Sequence, residues 1–172
     1  MPIEPDTKDW TWVLDETCPE CGFDTRSVAG TEVPAIVREN AAVWPGVLAR
    51  PDATRRPDDS TWSPLEYACH VRDVYRIFAE RLRLMRTQDD PLFANWDQDE
   101  TAVAERYGEQ DPAVVTGELA AAAEAIAAAF ESVSGDEWRR TGRRSDGAVF
   151  TVDSFARYFV HDSVHHVHDV TK

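Results

Sequence analysis

The sequence predicts an all-α protein, a four-helix bundle with crossover connections and an irregular N-terminal arm. Three observations carry that expectation. Apolar residues recur at steps of three and four through separate segments, two of those segments open on strong capping sequences, and no convincing strand-like alternation of apolar and polar residues appears. With 172 residues and 42% hydrophobic content, the chain suffices for one domain with a substantial core.

Residues 1–30 form the arm. Trp10 and Trp12 stand near its start, followed by Cys18-Pro19-Glu20-Cys21-Gly22 and a polar run to Gly30. The bundle, residues 31–172, begins with a helix from Thr31 to about Arg50. Its apolar positions are Ile36, Val43, Val47 and Leu48, and Pro34 is tolerated in the first turn. A polar stretch with prolines leads to Ser63-Pro64-Leu65-Glu66, which supplies an N-cap serine, a first-position proline and a capping-box glutamate. The second helix therefore starts here. Its inner stripe reads Tyr67, His70, Val74, Phe78, Leu82 and Met85, with Arg72, Arg76, Glu80 and Arg83 expected mostly outside.

Residues 88–111 are acidic and broken by Pro91 and Gly108, which predicts a long crossover loop with room for one short helix. Asp111-Pro112 caps a third helix with Val115, Leu119, Ala122, Ile126, Ala129 and Val133 on its inner face. A turn-rich connection, 134–147, follows. The last helix starts near Thr151 or Asp153 and runs almost to Lys172.

The formal net charge of -14 repels phosphate backbones, so no nucleic-acid partner is expected. No stretch has the roughly 18 uninterrupted apolar residues of a membrane span, and residues 1–30 lack the pattern of a secretory signal, so a cytoplasmic protein with no membrane partner is expected. Cys18, Cys21 and Cys69 are too few for a disulfide scaffold.

Four of the five histidines fall within His161-Asp162-Ser163-Val164-His165-His166-Val167-His168. At about 100° per residue, His161, His165 and His168 project within roughly 60° of one another, whereas His166 points about 140° from His161. His161 and His165, one turn apart, can share an ion. Imidazole suits zinc, nickel, copper or iron, and the remaining histidine, His70, faces the core from the second helix as a third ligand. Three neutral ligands leave an open coordination position for water, a thiolate or a carbonyl. A lone core histidine is more often a packing residue, so the case for His70 rests on its partners. Asp162 and Asp169 are candidates to orient imidazoles, and Tyr158 and Asp162 are candidate catalytic residues.

The basic cluster Arg139, Arg140, Arg143 and Arg144 offers charge to a carboxylate-bearing substrate, with Trp96 and Trp138 as candidate cavity walls. The blander alternatives are a solvated loop and ordinary packing. The Cys18/Cys21 pair has the shape of half a zinc knuckle without a second pair. It reads first as part of a structural arm, then as a second metal or dimer-bridging site, and last as a redox pair, since the βαβ context of a thioredoxin-like domain is absent.

Trp62-Ser63-Pro64-Leu65-Glu66 leading to His70, together with residues 158–170 around His161-Asp162-Ser163-Val164-His165-His166, resembles the DinB-like superfamily, which includes mycothiol-dependent maleylpyruvate isomerases and bacillithiol transferases. The resemblance covers roughly residues 31–170. It implies a four-helix bundle, a metal held by a second-helix histidine and a last-helix pair, and chemistry on a low-molecular-weight thiol. Carried over, the ligands are His70, His161 and His165. The isomerase branch has a glutamate at the first position of that pair, where this alignment puts His161, so the isomerase activity itself is not implied. The resemblance also suggests a homodimer.

Three functions follow as alternatives. The first is a metal-dependent transferase or isomerase that joins a thiol to a small-molecule electrophile. The second is a binding or sensing module whose ion is saturated by a fourth protein ligand. The third is a metallohydrolase using His161-Asp162-Ser163-Val164-His165 as a zincin-like pattern, with Asp one methylene shorter than the usual glutamate base.

Overall fold

In the computed structural model, which describes residues 3–172, the chain forms α1 (Val33–Ala41), α2 (Trp44–Leu48), α3 (Pro64–Thr87), α4 (Gln98–Ala104), α5 (Pro112–Glu131) and α6 (Val152–Thr171). A short antiparallel hairpin, β1 (Thr141–Arg143) and β2 (Val149–Thr151), precedes α6. The helix starts follow their capping chemistry. Ser63 accepts the Glu66 amide at 3.2 Å and Glu66 accepts the Ser63 amide at 2.8 Å, closing the capping box of α3. Asp111 accepts the Ala113 amide at 2.8 Å at the start of α5, and Thr151 caps α6.

The predicted first helix is broken in two. Pro45 has no amide proton to continue the ladder and its ring collides with the preceding turn, so the chain ends α1 and restarts as α2 with Pro45 in the new first turn. The α1/α2 stave packs on α5 and α6, and α3 packs on the same two helices. The bundle therefore runs α1, α5, α3, α6 around its axis. Both the α1-to-α3 and the α5-to-α6 connections cross a diagonal, as a bundle with crossovers requires.

Aromatic rings fill the interior. Phe78 stacks on Phe155 at 4.8 Å between centroids, Phe159 meets Phe78, Tyr75 and Phe130, and the Tyr75 hydroxyl shares a 2.7 Å hydrogen bond with Ser163. Helix α5 is long and apolar enough by composition to cross a membrane. Here its Val115, Leu119, Ile126 and Phe130 are buried against the other staves. Arg72, expected outside, is instead 4% exposed. It is neutralised by Asp73 at 2.9 Å and Glu118 at 2.7 Å, with Gln110 accepting a further bond at 2.8 Å.

The crossover loop pairs Leu92 with Arg143 before it forms α4, so its first part borders the hairpin. The hairpin was not visible as alternation because its strands have three residues each. Gly142 lies where β1 meets α3. A Cβ there would stand 2.6 Å from Cζ of Phe93 and 2.8 Å from Cγ of Met85. The arm carries three 3₁₀ turns (Trp10–Leu14, Thr25–Ser27, Gly30–Glu32) and lies along α6, with Val13 and Thr25 buried and the Thr25 hydroxyl donating to the Val13 carbonyl at 2.5 Å.

Gly142→Ala is expected to lower the unfolding free energy by about 1–3 kcal/mol through overpacking. Gly46→Ala, where an added Cβ meets nothing within 4 Å inside α2, should change it by under about 1 kcal/mol. Urea unfolding of both variants followed by circular dichroism measures the contrast.

Candidate functional site

Helix α6 carries two pairs of ligand-type side chains one turn apart, His161 with His165 and Asp162 with His166. Offset by one residue, the pairs point about 100° apart and meet different partners.

Asp162 and His166 face His70 on α3. The ligand atoms of the three lie within 4.8 Å of one another, with His70 Nε2 3.8 Å and His166 Nε2 3.5 Å from Asp162 Oδ1. Trp96 lies parallel to the His70 ring at 5.7 Å, Trp62 packs on it at 5.4 Å and Tyr67 packs on His166 at 5.2 Å. Both ring nitrogens of His70 and Oδ2 of Asp162 are buried without any hydrogen-bond partner. Leaving such groups unpaired costs about 1–3 kcal/mol each, and a cation between the three residues removes that cost. The far side of His166 is also prepared, since its Nδ1 meets Asp169 Oδ2 at 3.1 Å, the carboxylate contact that orients metal-binding imidazoles. Burial works against charge on His166, but Asp162 and Asp169 outweigh it and raise the ring to about 9. Burial likewise opposes charge on Asp162, and His166 with His70 overcomes it, holding the carboxyl well below the usual range.

His161 and His165 face the arm. Cys18 Sγ lies 3.7 Å from His165 Nδ1, Cys21 Sγ lies 3.7 Å from His161 Nε2, and all four ligand atoms fall within 4.8 Å of one another. Burial, reinforced by the neighbouring His165, lowers His161 to about 4. Burial also lowers His165, so both rings favour the neutral form in which imidazole ligates. The expected set of His70, His161 and His165 is thus divided: among the described residues, His70 groups with Asp162 and His166, and the other two histidines group with Cys18 and Cys21. The reason is the register of α6, because the face toward α3 carries Asp162 and His166.

A cavity of about 810 Å³ opens beside the His70 cluster. That volume is typical of small-molecule sites. Its walls include Trp62, Tyr67, Trp96, Arg81, Arg144, Tyr158 and, on α6, His161, Asp162, His165 and His166, with arm residues 3–10 along one side; His70 lies behind Asp162 and His166 and does not itself line it. Tyr158, a candidate catalytic residue, lines the cavity, and its hydroxyl accepts from Arg144 Nη1 at 3.0 Å. Of the substrate-binding candidates, Trp96 lines the cavity, whereas Trp138, Arg139 and Arg143 do not. Trp138 packs beside Gly30, Arg139 is exposed beside Asp136, and Arg143 pairs with Asp90 at 3.0 Å, each held by its position in the hairpin connection.

Sequence reasoning missed Arg81. It sits on α3 one turn beyond Phe78 and Ile77, packs its guanidinium over Phe78 at 5.5 Å and Phe93 at 5.3 Å, and donates to the Ala94 carbonyl at 3.2 Å. No carboxylate pairs with it among the described residues, and burial lowers its pKa. A basic residue flanking an apolar stripe was the available signal. His166 was set aside by its angle from His161, and the same angle carries it toward His70.

A family model of the DinB superfamily matches residues 37–170. No curated protein matches the sequence. Among solved structures, YfiT from Bacillus subtilis, described as a probable metal-dependent hydrolase with an unusual four-helix bundle topology, superposes with a TM-score of 0.64 at 15% identity, over 99% of this chain and 92% of that one. At that identity the likeness is one of fold.

Arg81 is a half-buried cation on the cavity wall with no carboxylate partner among the described residues. Arg81→Met is expected to leave the stability of the ligand-free protein unchanged or to raise it by up to about 2 kcal/mol, as measured by urea unfolding at neutral pH. A loss of more than about 1 kcal/mol would assign Arg81 a structural role instead.

Proposed function

The chain belongs to the DinB superfamily, and from that premise we propose that it is a metal-dependent enzyme acting on a small molecule, with His70, Asp162 and His166 as ligands of a divalent transition ion, zinc or nickel, and a low-molecular-weight thiol as cosubstrate. The observation that carries this reading is the cluster of unpaired, buried ligand atoms on His70 and Asp162, with Asp162 and His166 lining the cavity. Two imidazoles and a carboxylate suit a borderline metal and leave at least one coordination position toward the open volume, unlike the saturated site of a sensing module. The carboxylate in the isomerase branch at the first position of the last-helix pair has a counterpart here once the pair is Asp162 and His166. Asp is one methylene shorter, so a closely related thiol-dependent reaction is the reading.

When bound, the ion supplies Lewis acidity and favours the thiolate form of a coordinated thiol. The protein's own groups do the rest. Asp169 fixes the orientation of His166, while Trp62, Trp96 and Tyr67 enclose the ligand rings and limit water. Arg81 presents positive charge to a carboxylate on the electrophile, which the acidic surface around it would otherwise repel, while Arg144, already paired with Asp9 and Asp146, holds Tyr158 in place. Because Tyr158 accepts from Arg144, its own proton is free to be donated to an oxygen of the substrate.

Hydrolysis is the second reading, favoured by the description of YfiT. The zincin-like version of it loses support, since His161, His165 and Asp162 meet different partners. The two readings separate by experiment. With metal-loaded protein, consumption of a thiol alongside a carboxylate-bearing electrophile is expected, and hydrolysis of activated esters without any thiol would favour the second. His70→Ala should abolish turnover and remove one ion per chain by elemental analysis, and Asp169→Asn should weaken metal binding at this centre roughly 10–100-fold. Undiminished turnover in His70→Ala overturns the assignment.

A further inference from the structure

Cys18 and Cys21 lie on the arm, 140 or more residues from the histidines they face. The turn between them is that of a metal knuckle. The Gly22 amide donates to the Cys18 carbonyl at 2.8 Å, the Cys18 amide donates to the Phe23 carbonyl at 3.0 Å, and Gly22 adopts φ +75°, a left-handed conformation that glycine allows at no steric cost. Burial pushes the Cys21 thiol up to about 11, and the Phe23 and Cys21 amides that bond the sulfur offset only part of that rise. The turn thus presents both sulfurs to α6.

There they meet His161 and His165 at a specific spacing. Zinc–sulfur bonds of about 2.3 Å and zinc–nitrogen bonds of about 2.0–2.1 Å at tetrahedral angles separate sulfur and nitrogen by about 3.6 Å. Both sulfur–nitrogen pairs here stand at 3.7 Å. The outer nitrogen of His165 is also provided for, since Nε2 lies 3.6 Å from Glu20 and 3.7 Å from Asp169. Both cysteines are free thiols, each directed at an imidazole and not joined to the other.

We propose that Cys18, Cys21, His161 and His165 bind one zinc ion in a closed tetrahedral site, separate from the His70 cluster, and that this ion clasps the N-terminal arm onto α6. Two thiolates and two neutral imidazoles exactly cancel the charge of the ion and leave no position for a substrate, which is the composition of a structural site. The arm has few means of holding itself, being built of short 3₁₀ turns with little core beyond Val13, Cys18 and Thr25. Its residues 3–10 nevertheless wall the cavity, and Trp10 packs on His161 at 5.8 Å and His165 at 5.3 Å. The clasp therefore sets the shape of the neighbouring cavity without taking part in its chemistry.

The test uses full-length protein, purified under reducing conditions, stripped of metal by a chelator and titrated with Co²⁺. Wild type should take up about two ions per chain, one of them giving the sulfur-to-cobalt charge-transfer absorption and intense visible bands of a tetrahedral thiolate site. His70→Ala should keep that spectrum and lose the other ion. The Cys18→Ser/Cys21→Ser double variant should lose the charge-transfer absorption and retain about one ion. In parallel, tryptic cleavage at Lys8 and Arg26 should be at least about tenfold faster in the stripped protein than after zinc is restored, with helix content unchanged. Cobalt uptake without the thiolate absorption, a thiolate spectrum that disappears in His70→Ala, or an arm equally protected with and without zinc would each overturn the proposal. If the double variant does not fold, the wild-type and His70→Ala spectra still decide it.

Discussion

An α-helix turns about 100° per residue, so neighbouring side chains cannot aim at one point, and α6 is built around that constraint. Its ligand-type residues are doubled, His161 beside Asp162 and His165 beside His166, which makes two i,i+4 pairs from one short segment. The first pair addresses the arm and the second addresses α3. Everything else at this end of the bundle follows. The arm must lie along one flank of α6, α3 must bring His70 to the other, and the cavity occupies the space between the arm and the α3 side.

That arrangement concentrates polar groups where the bundle is otherwise apolar. Close by, Phe78, Phe155 and Phe159 pack as a continuous aromatic core, and Tyr75 with Ser163 satisfies the polar atoms that enter it. Around His70 the pattern changes. Both His70 ring nitrogens and a carboxylate oxygen of Asp162 are buried without a partner, and Arg81 on the same helix as His70 has no carboxylate partner among the described residues. A fold optimised for stability alone would fill these positions with apolar side chains, so their presence marks the region as one shaped by ligands.

The helices were legible because each has a local cause that sequence displays. Ser63-Pro64-Leu65-Glu66 and Asp111-Pro112 name their own starting points, and the stripe from Val74 to Met85 names its buried face. The break at Pro45 was equally written in the chain but was read through, because the apolar spacing continues across it. Arg72 was misplaced for a different reason. Helical periodicity assigns charges to the outside, and only the tertiary arrival of Glu118 and Gln110 makes its burial affordable. The candidate site divided along the same line. Periodicity correctly separated His166 from His161, but which helix would face each pair is set by packing. The arm's approach, which brings Cys18 and Cys21 to α6 from far upstream, leaves no periodic trace at all.

Asp169 joins the two halves. It lies on the turn of α6 after both pairs, bonds His166 Nδ1 at 3.1 Å and stands 3.7 Å from His165 Nε2, so one carboxylate serves as outer partner to an imidazole of each cluster. A carboxylate shared in this way cannot bond both rings equally well, and a shift toward either imidazole weakens its hold on the other. His165 belongs to the proposed clasp and His166 to the proposed cavity centre. A single side chain thus stands between the two groups of ligand-type residues on α6. The arm, which lines the cavity, and the α3 side of the bundle therefore meet at the same carboxylate.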